Sequence, residues 1–360
     1  MLRQQFGVKS GNGGKAGQFF RTDRRCDAMA AFESRRFLPA LIPSRRALSK
    51  IALPMATAIL SPKYLLLALY LPAVLYVQFR GKVRHKLSRL IADHANLLAP
   101  YNALMYLFSG VPSRPFVDVN RFPELAEVTS QWQMIREEAL KLFDEGYIRA
   151  ASRHNDIGFN TFFRTGWKRF YLKWYGDFLP SAAALCPRTT ELLARIPSIN
   201  AAMFTVLPPG ARLGAHRDPF AGSLRYHLGL ITPNSPDCYI EVDGERYYWK
   251  DGEAVVFDET YIHHAENRTD TARVILFCDI ERPLSNRLVR GINRTIGRAM
   301  IKAAATENVP GEHVGVLNRI FEQIYKLRLV GVRIKNWNRP IYYLLKWLLI
   351  AGILYAIIRG

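Results

Sequence analysis

Between Ala202 and Ile280 the chain breaks into short β-rich runs separated by turn signals, and nothing else in the sequence narrows the choice of fold so far. The runs are Ala202 to Leu207, Leu224 to Ile231, Cys238 to Val242, Glu245 to Trp249, Ala254 to Phe257 and Arg273 to Ile280. Each is of strand length. The Asp243-Gly244 and Asp251-Gly252 pairs are tight-turn dipeptides, which supply the positive φ that a two-residue hairpin requires. Six short strands joined in this way close into a barrel or a double sheet, most often a jelly roll or cupin, and such a barrel leaves a mouth for a ligand. Upstream, helical stretches are expected at Glu124 to Glu145 and Ser181 to Arg195.

The ends of the chain follow a different pattern. Tyr64 to Phe79 carries no charge and is followed at once by Arg80, Lys82, Arg84, Lys86 and Arg89. Ile341 to Ile358 is apolar apart from Lys346, has Tyr and Trp where an aromatic belt would sit, and is preceded by Lys326, Arg328, Arg333, Lys335 and Arg339. The first reads as a membrane span and the second as a span or an interfacial helix. Both basic flanks belong on the cytoplasmic side by the positive-inside rule, which puts the segment between them on that face. Residues 1–54 carry eleven Lys/Arg and run against that rule, and Met55 follows them. They read as a basic, disordered extension or as a mis-set start. The formal charge of +20 calls for an anionic partner, and the hydrophobic ends favour an anionic membrane surface over nucleic acid. Four dispersed cysteines, with no CxxC pair, suggest neither a zinc ribbon nor a disulfide framework.

The expected organisation is an extension over 1–54, a membrane segment over 56–79 and an aromatic, basic, partly helical region over 80–200. A catalytic core over 201–285, a basic helical region over 286–340 and a hydrophobic segment over 341–358 complete it. The fold class is α+β: a double-stranded β-helix core of jelly-roll or cupin type, with flanking helices and hydrophobic membrane segments at both ends.

The residues with chemistry are His216 and Asp218, followed at a distance by His263. An H-x-D pair on an extended segment points both side chains the same way, and a second imidazole from another strand completes the facial set of two His and one carboxylate that binds non-haem iron(II). His264 competes with His263, but the pleat sends neighbours to opposite faces, and His263 is the expected ligand. Arg273 opens a strand ten residues beyond His263, and a guanidinium fork there suits the distal carboxylate of 2-oxoglutarate. On the strand from Leu224, alternation places Arg225, His227 and Gly229 on one face, looking into the same cavity. From Phe162 to Tyr175 aromatic residues alternate with Arg164, Lys168, Arg169 and Lys173, a mixture that suits the boundary between acyl chains and phosphate head groups.

Carried by LPPGARLGAHRDP, SLRYHLGL and DGEAVVFDETYIHHAENRTDTARVILFCDIERP, over roughly residues 200–283, the chain resembles the aspartyl/asparaginyl β-hydroxylase family of iron and 2-oxoglutarate oxygenases. Through VQFRGKVRHK, DIGFNTFFRTGWKRFYLKWYGD and the basic, hydrophobic C-terminus it is similar to the lipid A 2-hydroxylase branch of that family. The resemblance implies that His216 and His263 ligate iron, and that Arg273 and Thr205 hold the distal carboxylate of 2-oxoglutarate, with Arg225 and His227 near its other end. The animal peptidyl hydroxylases have Gly where this chain has Asp218, so carboxylate ligation rests on the triad chemistry; they have Ser where it has Thr205. The implied cosubstrates are 2-oxoglutarate and O2, and the implied reaction is hydroxylation beside the carbonyl of a secondary acyl chain of lipid A. The implied place is the cytoplasmic face of the inner membrane of a Gram-negative bacterium. A peptidyl aspartyl/asparaginyl hydroxylase and a non-catalytic, metal-binding membrane cupin are the rival expectations.

Overall fold

The computed structural model describes residues 62–90, 93–151 and 155–359. The extension expected over 1–54 and the beginning of the segment expected over 56–79 lie outside the described residues. Two antiparallel sheets make up the core. The larger has the strand order β1-β9-β6-β11-β4-β2-β3 and the smaller β5-β10-β7-β8, where β1 is Phe116–Val117, β2 Lys168–Trp174, β3 Asp177–Phe178, β4 Ile199–Leu207, β5 Arg212–His216, β6 Ser223–Ile231, β7 Cys238–Val242, β8 Glu245–Tyr248, β9 Ala254–Phe257, β10 His263–Asn267 and β11 Arg273–Glu281. All six expected runs are strands. The Asp243-Gly244 turn has φ of 50° and 86°, the two positive angles of a type I′ hairpin joining β7 to β8.

The larger sheet is wider than the expected core because β1, β2 and β3, all from the 80–200 region, pair onto it. The central strands β4, β6 and β11 are buried on both faces, so their sequences lack a clean alternation of polar and apolar residues. One face turns to the smaller sheet. The other is covered by helices: Trp132–Asp144 buries Ile135, Ala139 and Leu142, spaced to fall on one side, and Thr129 in the preceding helix meets the Tyr226 hydroxyl at 3.0 Å. The expected helix at Glu124 to Glu145 is broken into Ala126–Ser130 and Trp132–Asp144, and that at Ser181 to Arg195 into Pro180–Leu185 and Pro187–Ala194. Pro187 causes the second break, since it has no N–H to donate and disfavours a helical residue before it. Gly229 is required by a close approach, because a Cβ there would stand 2.0 Å from the Lys250 carbonyl oxygen.

The hydrophobic ends form helices, Pro62–Phe79 and Arg339–Arg359, with Val316–Trp337 preceding the latter. The expectation of spans is corrected: no helix of the described residues is long and apolar enough to cross a membrane. On the first helix Ala73, Val77 and Gln78 are buried, packing with Ala95 and Ala99 and bonding Asp93 and Asn96. One flank is therefore committed to protein, and the helix stops at Phe79, where Arg80 turns in to a buried pair with Asp258. The rest of the helix exposes Leu66, Leu67, Leu69, Leu71 and Leu75, and the C-terminal helices expose Ile324, Leu327, Leu344, Leu345, Trp347, Leu348 and Leu349. Faces this apolar mark contact with a partner or a membrane.

Candidate functional site

His216 ends β5 and His263 begins β10, and the antiparallel register sets the two residues opposite each other. Their ring centroids are 4.3 Å apart. Asp218 lies just beyond β5, its N–H bonded to the Glu259 carbonyl at 2.9 Å. One ligand atom each from His216, Asp218 and His263 falls within 4.8 Å of the others. Nδ1 of His216 lies 2.8 Å from the Gly214 carbonyl and Nδ1 of His263 lies 2.9 Å from that of Tyr261. Each carbonyl holds the proton on Nδ1 and leaves the Nε2 lone pair free, the tautomer a metal-binding histidine needs. Burial and the neighbouring His216 push His263 down to about 3, so it is neutral at physiological pH. Burial would raise Asp218, but Arg225, His263 and His216 outweigh it and hold the carboxylate below its ordinary value. Two imidazoles and one carboxylate make a donor set that fits iron(II). His264 faces away, toward Glu241 and Tyr239.

These three residues line a cavity between the sheets, and Thr205, Arg225, His227 and Arg273 line the same cavity. Its free volume is about 40 Å3, so seating a diacid requires the side chains around it to give way. Arg273 is buried, with one long hydrogen bond to the Thr205 hydroxyl (3.4 Å) and its guanidinium over the Trp249 ring at 4.5 Å. It has no carboxylate partner among the described residues, its Nε is unsatisfied, and burial lowers it to about 10. A buried cation left in this state is poised for an anion from outside the chain. His227 accepts from the Trp249 indole N–H at Nδ1 (3.3 Å), which puts its own proton on Nε2, and that atom is buried without a partner. Burial, then Arg273, Arg225 and His263, keep this imidazole neutral. These orphaned donors fit the carboxylates of 2-oxoglutarate.

Arg225 reaches the cavity but is engaged by the protein itself. Nη2 lies 2.7 Å from Asp218 and Nε 2.8 Å from Asp279. Sequence reasoning placed it beside the cosubstrate; the structure places it as a strut between the candidate metal carboxylate and a carboxylate on β11. Asp279 and Glu259, both buried, went unnoticed, and so did Trp249 as a site residue. No local pattern marks them, although Asp279 alternates with Arg273 along β11 and Trp249 ended an expected strand. The aromatic run divides: Phe162 and Trp167 line the cavity, whereas Phe170 and Tyr171, on the interior strand β2, and Tyr175 after it are buried away from that cavity.

The aspartyl/asparaginyl beta-hydroxylase family matches residues 129–283. Over 197 residues the chain is 34% identical to the ornithine lipid ester-linked acyl 2-hydroxylase of Rhizobium tropici, covering 53% of this chain and 69% of that protein. It is 25% identical over 214 residues to the aspartyl/asparaginyl beta-hydroxylase of Homo sapiens, covering 56% of this chain and only 27% of that protein. Among solved structures, a Pseudomonas putida prolyl-4-hydroxylase matches at 17% identity and a TM-score of 0.31, covering 43% of this chain and 88% of that one.

Proposed function

The chain belongs to the aspartyl/asparaginyl β-hydroxylase family, and from that premise we propose that it is an iron(II)- and 2-oxoglutarate-dependent dioxygenase that hydroxylates the 2-position of a secondary acyl chain of lipid A. The observation that carries the reading is the two-His, one-Asp set facing the same cavity as a buried Arg273 that has no anionic partner among the described residues. Iron bound there, with 2-oxoglutarate and O2, supplies an oxidation that puts one oxygen atom into a C–H bond and the other into succinate, with loss of CO2.

The chain's own residues do the rest. His216, Asp218 and His263 hold the metal from one side. Arg225 keeps Asp218 ionised and fixed in orientation, and Asp279 in turn braces Arg225. Arg273, with the Thr205 hydroxyl, takes the distal carboxylate of 2-oxoglutarate, while Trp249 supports the guanidinium from below and fixes the His227 tautomer. Phe159, Phe162 and Trp167 form an apolar wall suited to a methylene chain. For Arg273→Gln, the KM for 2-oxoglutarate is expected to rise about 100-fold, the effect of truncating a buried charge pair. Arg273→Lys should recover part of it, because the charge survives and the fork does not. A KM within threefold of the original in both variants would remove Arg273 from this role.

The exposed apolar faces of the end helices, beside Lys326, Arg328, Arg333, Lys335 and Arg339, suit a helix lying on an anionic membrane surface. We place the protein on the cytoplasmic face of the inner membrane of a Gram-negative bacterium on that ground, and the same faces favour a lipid over a soluble peptide as substrate. The rhizobial relative makes ornithine lipid a second candidate within the same chemistry. The test is the mass spectrum of lipid A and of ornithine lipid from a host that lacks both activities, with and without this chain. A gain of one oxygen on a lipid A acyl chain supports the reading. A gain on ornithine lipid alone moves the substrate to the second candidate, and no gain on either leaves the peptidyl hydroxylase ahead.

A further inference from the structure

A second cleft, of about 310 Å3, shares no residue with the cavity of the metal-ligand set. Lys173 and Tyr175 from β2 and the turn after it, Asn200 from β4 and Phe220 from the loop beyond Asp218 form one side. Arg294, from the helix Arg287–Ile296, and Arg298, from the π-helical segment Gly297–Ile301 that follows, form the other, with Glu281 beside them. Its charges do not balance. Arg294 is committed to Glu281 through contacts of 2.8 to 3.1 Å, and nearby Lys302 pairs with Asp177. Arg298 has no carboxylate partner among the described residues. Lys173 has none either: its ammonium donates to the Ile199 carbonyl at 2.8 Å, and burial pulls it below the usual lysine value. Two cations therefore stand uncompensated in one concavity, one of them partly withdrawn from water, where an arriving anion is held more strongly than at an open surface.

The cleft also backs onto the candidate metal site. The Tyr175 hydroxyl donates to Asp279 at 3.3 Å, Asp279 pairs with Arg225, and Arg225 pairs with Asp218. We propose that this cleft is an oxyanion-binding site, separate from the cavity of the metal-ligand set, that takes a phosphate group, either free or carried on a polar headgroup. Its volume is far above the roughly 10–15 Å3 that one water needs on the same measure, which leaves room for part of the group that bears the phosphate.

The test is calorimetric titration of the full chain in neutral detergent with inorganic phosphate and with glycerol 3-phosphate. Saturable binding is expected, weakened at least tenfold by Arg298→Gln and by Lys173→Gln. Glu281→Gln, which releases Arg294, is expected to tighten it. An unchanged thermal midpoint in each variant confirms that the fold is intact. Competition by vesicles of phosphatidylcholine with phosphatidic acid, but not by phosphatidylcholine alone, identifies a lipid headgroup as the source; failure of both to compete identifies free phosphate. The proposal is overturned if the unaltered chain shows no saturable binding, or if neither Arg298→Gln nor Lys173→Gln weakens it. Neither readout depends on hydroxylation, so the outcome is independent of the proposed activity.

Discussion

Replacing His216 or His263 with Ala is expected to lower iron(II) affinity by more than the roughly 100-fold that loss of an outer-shell partner costs, and to abolish turnover. His264→Ala should leave both within about twofold, because that ring lies on the other face of β10, near Glu241 and Tyr239. The contrast is informative because the two histidines are adjacent in sequence, and only the pleat separates them. Asp218→Ala probes a finer point. If the carboxylate is a ligand, iron binding falls with it; if His216 and His263 suffice, as the Gly in the animal relatives implies, affinity survives and only turnover changes. Equilibrium dialysis with iron(II) under anaerobic conditions, read beside succinate release, separates these outcomes. Full affinity in both histidine variants would remove the metal centre from this cavity.

The sequence was most legible where a local rule and a global one coincide. The Asp-Gly turn between β7 and β8 fixed that hairpin through its positive φ angles, and the alternation along β6 correctly turned Arg225 and His227 toward the cavity with Tyr226 on the opposite face. Strands β5 and β10, which carry His216 and His263, were read as an extended segment and a distant strand but were given no bounds. They are short, and beside Leu213 and Ala265 each gives a cavity-facing position to a ligand histidine, so polar residues interrupt the hydrophobic signal. The same reason hid β2, whose Lys and Arg residues interrupt a buried strand; Arg169 is buried only because Asp156 meets it at 3.0 Å.

Long-range ion pairs were beyond reach for a different reason. Arg225 was read by its face and by resemblance, yet what its guanidinium touches is decided by Asp279, fifty-four positions away, brought alongside by the β6–β11 register. The N-terminal hydrophobic run misled for a third reason: hydropathy measures the run itself and is blind to what packs on it. One flank of Pro62–Phe79 is taken up by protein, through Val77 and Gln78, and the Val77 carbonyl accepts from Arg217 at 2.7 Å. That arginine sits between two candidate metal ligands, so the apolar N-terminal helix and the ligand loop are mechanically joined.

A second large effect is expected at Asp258, which anchors the same N-terminal segment. Its buried carboxylate pairs with Arg80 and, at 3.0 Å, with Arg282. The Arg80 guanidinium also lies 3.9 Å from the ring centroids of both Tyr106 and Tyr261. Asp258→Ala leaves two guanidinium groups buried and unpaired, a loss of about 3–5 kcal/mol, and the thermal midpoint in detergent should fall by about 6–15 °C. Asp258→Asn, which keeps the shape and loses the charge, should fall between the two. The effect carries a pH signature. Burial alone would raise this carboxyl, but Arg282 and Arg80 outweigh it and hold it well below the usual carboxylate range. On acidification the unfolded chain takes up the proton first, so the stabilisation is fully present above about pH 4, the unfolded value, and is lost as pH falls from there toward the depressed folded value. The stability gap between the unaltered chain and Asp258→Ala should therefore be constant from pH 5 to pH 8 and narrow below about pH 4. A gap that is small at pH 7, or that widens in acid, would mean that the Arg80 and Arg282 charges are balanced by something other than this carboxylate.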